Sequence, residues 1–207
     1  MIVVHALRKI NPKIIQTEMV ESDDWEYHPN VFQDLATDDI LSECRSLLSN
    51  QREYQGKVQK ITRLSVVFTE NEGMFRLRLP SYRDMKVVNW NLSPTTEKLR
   101  ARLEERIGHR FDYTLFHLYE DGGAVINWHN DKEALDSDIA SVSFLTRRRF
   151  LIRRLGATKG YDHEYHLGKG DFFYMKKGMQ RRYEHCIPKE AKIKTPRINY
   201  TFRVFPE

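Results

Sequence analysis

The chain has 207 residues, enough to bury one substantial core, and its 40% hydrophobic and 12% aromatic content excludes a disordered chain. Lys and Arg number 34 against 29 Asp and Glu, a formal net charge of +5, and with 30% of residues charged the surface is expected to be well solvated. No apolar run reaches the length of a membrane span, and the two cysteines, Cys44 and Cys186, are too few for a disulfide framework. These features lead us to expect an intracellular monomer with no membrane partner and no assignable organelle.

Residues 1 to about 36 mix charge, Pro12, Pro29 and isolated aromatics without a period, and are expected to form an irregular or short-stranded lead-in. "TDDILSECRSLL" from Thr37 offers a threonine N-cap, acids in the first turn and Ile40, Cys44, Leu47 and Leu48 at helical spacing, so it predicts a helix ending near Asn50. "RLSVVFTE" at 63–70 is β-branched and aromatic and predicts a strand. The Arg- and aromatic-rich segment 71–90 reads as a hairpin or lid. "SPTTEKLRARLEERIG" supplies Ser93 as N-cap, Pro94 at the first helical position, a stripe of Leu99, Leu103 and Ile107, and Gly108 as a stop.

After Gly108 the texture changes to seven short strand-like runs separated by glycines. Such a series predicts a mostly β fold with flanking helices, a sandwich or barrel buttressed by helices from the N-terminal side. The division expected is an N-terminal extension with its helix over residues 1–60 and one domain over 61–207 that includes a lid at 63–92.

His129 and Asp131, in "NWHNDKE", are two residues apart at the end of an apolar segment, so strand alternation puts both on one face. A distant third ligand would complete two histidines and a carboxylate, an arrangement that suits ferrous iron with positions left open. His185 is the leading candidate, with His117, His163 and His166 as alternatives. In "PRINYTFR", Arg197, Asn199, Thr201 and Arg203 alternate with Ile198, Tyr200 and Phe202. One face thus carries two guanidiniums, for which a small dianion is a natural partner. Clusters at Arg147, Arg148, Arg149, Arg153 and Arg154 and at Lys176, Lys177, Arg181 and Arg182 could neutralise phosphates, or could be an ordinary solvated face.

"WHNDKE", "IASVSF", "GDFFYMKKG", "HCIPK" and "RINYTFR", in that order between residues 128 and 203, together resemble the AlkB family of iron(II)- and 2-oxoglutarate-dependent dioxygenases. The resemblance implies a double-stranded β-helix, or jelly roll, with iron on His129, Asp131 and His185. It implies that 2-oxoglutarate chelates the iron and pairs its far carboxylate with Arg197, helped by Tyr119, Asn199 and Arg203. It also implies oxidative removal of methyl groups from N-alkylated DNA or RNA bases, with release of succinate, carbon dioxide and formaldehyde. Glu133 falls at the family position beside the flipped base, Arg63 matches the arginine that opens the lid, and Tyr82 is the lid aromatic expected to touch a base. Two departures stand out. His117 replaces an asparagine that touches the cosubstrate, and Leu145 stands where the family has glycine. The same chemistry on a protein side chain or a regulatory RNA mark, or an inactive nucleic-acid-binding module, would be the alternatives.

Overall fold

A computed structural model describes residues 18–54 and 57–207, with residues 49–54 and 57–62 in backbone only. The part of the expected lead-in before residue 18 therefore lies outside the described residues. In chain order the elements are β1 (Val20–Glu21), β2 (Trp25–His28), α1 (Thr37–Arg45), β3 (Ser49–Tyr54), β4 (Lys57–Thr69), α2 (Glu72–Arg78), β5 (Val87–Val88), α3 (Pro94–Ile107), β6 (Tyr113–Tyr119) and β7 (Ile126–His129). There follow β8 (Ile139–Leu145), β9 (Arg148–Arg154), β10 (His163–Leu167), β11 (Asp171–Met175), α4 (Met179–Arg182), β12 (Tyr183–Ile187) and β13 (Arg197–Arg203).

Two sheets result. The larger runs β1-β2-β11-β8-β13-β6-β4-β3, with β5 alongside β4, and the smaller runs β10-β9-β12-β7. Apart from the β4–β5 contact every pairing is antiparallel. Between the sheets Phe150, Ile152 and Tyr165 of the smaller sheet meet Tyr27, Phe173 and Ile139 of the larger in one buried cluster. On the opposite face of the larger sheet, Ile40 and Cys44 of α1 and Leu99 and Leu103 of α3 bury against Val66, Phe116, Ile198, Tyr200 and Phe202. Each such aliphatic contributes about 1.5–3 kcal/mol of burial. The result is the jelly roll with helical buttress that the strand pattern and the resemblance led one to expect.

The strands form where alternation and turn chemistry demand them. In β13 the odd positions 197, 199, 201 and 203 line the cavity while Ile198, Tyr200 and Phe202 enter the helix-side core. Helix α3 keeps its sequence punctuation: the Ser93 side chain accepts from Thr96 N, Pro94 opens the helix, and Gly108 closes it at φ 88°. Helix α1 is shorter than expected. Its N-cap is Ala36 rather than Thr37, without a side-chain cap, and it stops at Arg45 because the chain must turn into β3 from Ser49.

The expected hairpin at 71–90 is instead α2 followed by a 3-10 turn at Pro80–Tyr82. Phe75 and Leu79, four apart, bury against Val67, Tyr113 and Leu115, so a single helical turn seats the segment. Arg76 then ties it, donating from Nη1 to Arg83 O at 2.6 Å and Met85 O at 3.0 Å. Within the lead-in, β2 pairs with β11 and buries Trp25 and Tyr27, the alternate positions of "WEYH". Leu145 sits at φ 64°, so the left-handed turn that favours glycine is retained here by a leucine.

Candidate metal centre and cosubstrate pocket

The cavity lies at the mouth between the sheets, with a volume of about 470 Å³. Strand β7 pairs with β12 so that His129 stands opposite His185, their rings 4.4 Å apart. Asp131 follows two residues later. Its Oδ1 lies 3.7 Å from His129 Nε2 and its Oδ2 3.8 Å from His185 Nε2, and one ligand atom from each of the three residues falls within 4.8 Å of the others. The sequence alternatives His117, His163 and His166 are not in this cluster.

The donor set suits a metal ion. His129 Nδ1 is 2.8 Å from Asn127 O, so it donates there and Nε2 keeps its lone pair. Burial pushes the His185 imidazole down to about 3, reinforced by His129, which keeps its ring neutral as a ligand must be. Burial opposes ionisation of Asp131, yet the Arg203 guanidinium holds its carboxyl below the usual range. Arg203 Nη2 is 3.0 Å from Asp131 Oδ2, but this ion pair lacks hydrogen-bond alignment and Oδ2 has no hydrogen-bond partner. A buried carboxylate oxygen and two imidazoles facing one point are what a cation would satisfy.

A second unsatisfied group lies deeper. The Arg197 guanidinium is 2% exposed, donates to Ser143 Oγ at 2.8 Å and Leu167 O at 3.3 Å, and leaves Nη1 without a partner. The hydroxyls of Tyr119 and Thr201 are likewise buried and unpartnered. Among the described residues no carboxylate ion-pairs with Arg197, and an unpaired buried cation costs several kcal/mol. An anionic ligand with several acceptor oxygens would relieve all three groups.

Asn199 shares this wall, its Nδ2 donating to Ser141 Oγ at 3.0 Å and Val142 O at 3.2 Å. His117 lines the same cavity, its Nδ1 2.7 Å from Ser65 Oγ. Burial, reinforced by Arg63, Arg203 and Arg197, holds this imidazole well below the usual histidine range. The neutral ring thus still offers Nε2 for hydrogen bonding where the family's asparagine offers an amide.

Arg203, expected beside the cosubstrate, lines the cavity and bridges Asp131 and Glu133, with Nη1 3.3 Å from Glu133 Oε1. Glu133 is not a free carboxylate at the rim: the Tyr82 hydroxyl of the lid donates to it in a short contact. Burial, partly offset by Arg203, raises the Tyr82 phenol far above its usual value, so it stays a donor. Arg63 lines the cavity and reaches Val125 O at 3.4 Å, leaving Nε unpartnered.

Sequence reasoning missed Ser65, Ser141, Ser143 and Gln180, which orient the others. Each is a small or neutral polar residue whose role depends on a neighbour across the sheet, and no local signal marks it. The basic clusters also prove different from a free cationic face. Arg149 pairs with Glu164, Arg153 with Glu184, Arg181 with Asp136, Arg182 with Asp24 and Lys176 with Glu26. The fully buried Arg148 is consumed by Glu190 and by carbonyls of residues 121, 122, 124 and 188.

Comparison with known proteins agrees with this geometry. The human alpha-ketoglutarate-dependent dioxygenase alkB homolog 3 is 33% identical over 125 residues, 55% of this chain and 44% of its own length. The bovine DNA oxidative demethylase ALKBH2 is 32% identical over 119 residues, 53% of this chain and 43% of its own. The matched stretch thus spans less than half of each of these curated relatives. The solved structure of OsALKBH1 superposes with a TM-score of 0.58 at 17% identity, covering 90% of this chain and 100% of that one, which supports the fold. The AlkB resemblance read from the motifs is therefore borne out. A family model described as the 2OG-Fe(II) oxygenase superfamily matches residues 24–203, which takes in every strand but β1 and every residue of the candidate site. The chain belongs to the 2OG-Fe(II) oxygenase superfamily, whose cofactor and cosubstrate are iron(II) and 2-oxoglutarate.

Proposed function

We propose that the chain is an oxidative demethylase of N-alkylated bases in DNA or RNA. It would couple removal of the methyl group as formaldehyde to conversion of 2-oxoglutarate and oxygen into succinate and carbon dioxide. The observation that carries this reading is the convergence, in one cavity, of the two-histidine and carboxylate set with the unpaired, buried Arg197. When bound, the iron supplies oxidation of an otherwise inert C–H bond.

The chain's own residues do the rest. His129, Asp131 and His185 would hold the ion, and Arg197 would fork onto the far carboxylate of 2-oxoglutarate while Tyr119, Thr201, Asn199 and His117 line its berth. Glu133, held between Tyr82 and Arg203, puts a carboxylate behind two residues that line the cavity. A base methylated at a ring nitrogen can be cationic, and a partly buried carboxylate would favour it over the neutral base. Such a base must leave its stack to reach the cavity. Among the described residues no helix is long and apolar enough to cross a membrane, and both cysteines are free and buried, consistent with an intracellular setting.

The pairing of the outer arginines with acids removes much of the charge argument for a nucleic-acid partner, and so keeps other methylated substrates in play. Anaerobically reconstituted protein would be given iron(II), 2-oxoglutarate, oxygen and methylated oligonucleotides, with base mass and succinate followed together. Demethylation matched by succinate supports the proposal. Succinate without demethylation of any oligonucleotide would move the substrate to a protein side chain or another mark. No succinate, with DNA binding unaffected by His129→Ala, would leave only a binding module.

A further inference from the structure

The β7–β12 ladder explains why His129 faces His185, but it stops there: β7 ends at His129, so the third ligand residue lies beyond the last strand position. The backbone N–H of Asp131 is held by one side chain from the segment before β12. Gln180 of α4, 1% exposed, accepts the Asp131 backbone N–H through Oε1 at 3.0 Å. Its Nε2 points to Met175 Sδ at 3.2 Å. The orientation of this amide is fixed at both ends, because the flipped form would oppose two N–H groups at Asp131.

The main chain adds a second tie, since Asn130 Nδ2 donates to Gln180 O at 2.8 Å. Arg181 adds a third, donating from Nε to Asp136 Oδ1 at 3.2 Å. The carbonyl of Asp131 is taken by Ala134 N at 3.0 Å, so both backbone polar groups of this ligand residue are fixed. Helix α4 runs directly into β12, where His185 is the third residue. One short turn therefore registers the aspartate-bearing loop against the strand that carries the second histidine.

We infer that Gln180 is the positioning residue of the metal centre, setting the backbone at Asp131 so that its carboxylate meets the two imidazoles. The inference rests on the metal site of the proposed function but not on the identity of the substrate. Outer partners of metal ligands typically govern affinity by about 10- to 100-fold. Gln180→Leu keeps the bulk and removes the acceptor, leaving the Asp131 N–H buried without a partner.

The test is calorimetric titration of metal-stripped protein with manganese(II) alone, alongside thermal melting of the same metal-free protein. Gln180→Leu is expected to bind manganese about 10- to 100-fold more weakly than wild type. Gln180→Glu, which keeps the acceptor, should bind close to wild type. A packing role would instead lower the melting temperature of the metal-free protein while the folded fraction kept its affinity. Wild-type affinity in Gln180→Leu, or equal weakening in the Leu and Glu variants, would overturn the inference. Should Gln180→Leu fail to fold, Asn130→Ala removes only the second tie: weakened manganese binding supports the inference and wild-type binding overturns it. Since the readout is metal affinity, loss of this inference leaves the demethylase reading to its own assay.

Discussion

Two sets of arginines in this molecule look alike in sequence and behave oppositely in the structure. On the outer side Arg149, Arg153, Arg181 and Arg182 each meet an acid, and little of their charge is left to attract a ligand. Inside, Arg197 is buried with an unpartnered Nη1, and Arg63 with an unpartnered Nε. Arg148 is as buried as Arg197, yet every direction of its guanidinium is taken by protein. Burial alone therefore does not mark a binding arginine, and neither does clustering. What distinguishes Arg197 is an unmet hydrogen-bonding demand in a cavity large enough to supply it.

The largest effect expected from this contrast follows from Arg197→Met. Losing a buried, charge-assisted contact should weaken 2-oxoglutarate by about 3–5 kcal/mol, roughly a hundredfold or more in dissociation constant, read by calorimetry. Unaltered affinity would place Arg197 with Arg148 among the structural cations. Next comes Glu133→Gln, which keeps the shape but removes the charge held by Tyr82 and Arg203. It should cost about 1.5–3 kcal/mol in kcat/KM for a cationic methylated base and much less for a neutral one. Equal losses on both would deny Glu133 a part in selectivity.

The pocket interior also predicts a pH dependence. His117 is held neutral below its ordinary range, so below about pH 6.5 the unfolded chain takes up a proton that the folded chain refuses. Stability of the metal-free protein should then fall with decreasing pH by about 1.4 kcal/mol per unit on this group's account. Denaturant titrations at successive pH values should show that slope reduced by the same amount in His117→Asn, and identical slopes would mean that the ring titrates freely. The smallest effect belongs to the outer set. Arg181→Ala should leave the melting temperature and the salt dependence of oligonucleotide binding unchanged, because Asp136 already occupies the guanidinium. A salt slope smaller by about 0.9 would show instead that Arg181 meets a phosphate.

Much of the architecture was legible because it follows from local rules. Ser93, Pro94 and Gly108 punctuate α3, and the alternation in "RINYTFR" assigns Arg197 and Ile198 to opposite faces. The pair His129 and Asp131 could be read from spacing, and His185 was separated from its competitors by the resemblance rather than by spacing. What was illegible depends on contacts distant in sequence. The acids that neutralise the basic clusters lie up to 158 residues away, as Asp24 does from Arg182. At the lid's helix only Phe75 and Leu79 are buried while Leu77 is exposed, one helical turn, too short to betray a period. Ser65 and Gln180 are ordinary polar residues until the fold brings them beside His117 and Asp131. The strand "WEYH" was not picked out of the aperiodic lead-in, and only its pairing with β11 shows that the lead-in joins the larger sheet.

The central proposal is that His129, Asp131 and His185 would hold the iron needed to remove methyl groups from nucleic acid in this cavity. The most direct measurement is bound iron and oligonucleotide mass in parallel for wild type and Asp131→Ala, with 2-oxoglutarate and oxygen supplied. The account predicts that wild type binds iron and strips the methyl group from a methylated oligonucleotide with matching succinate, and that the variant does neither. An Asp131→Ala protein that retained stoichiometric iron and full demethylation would contradict it.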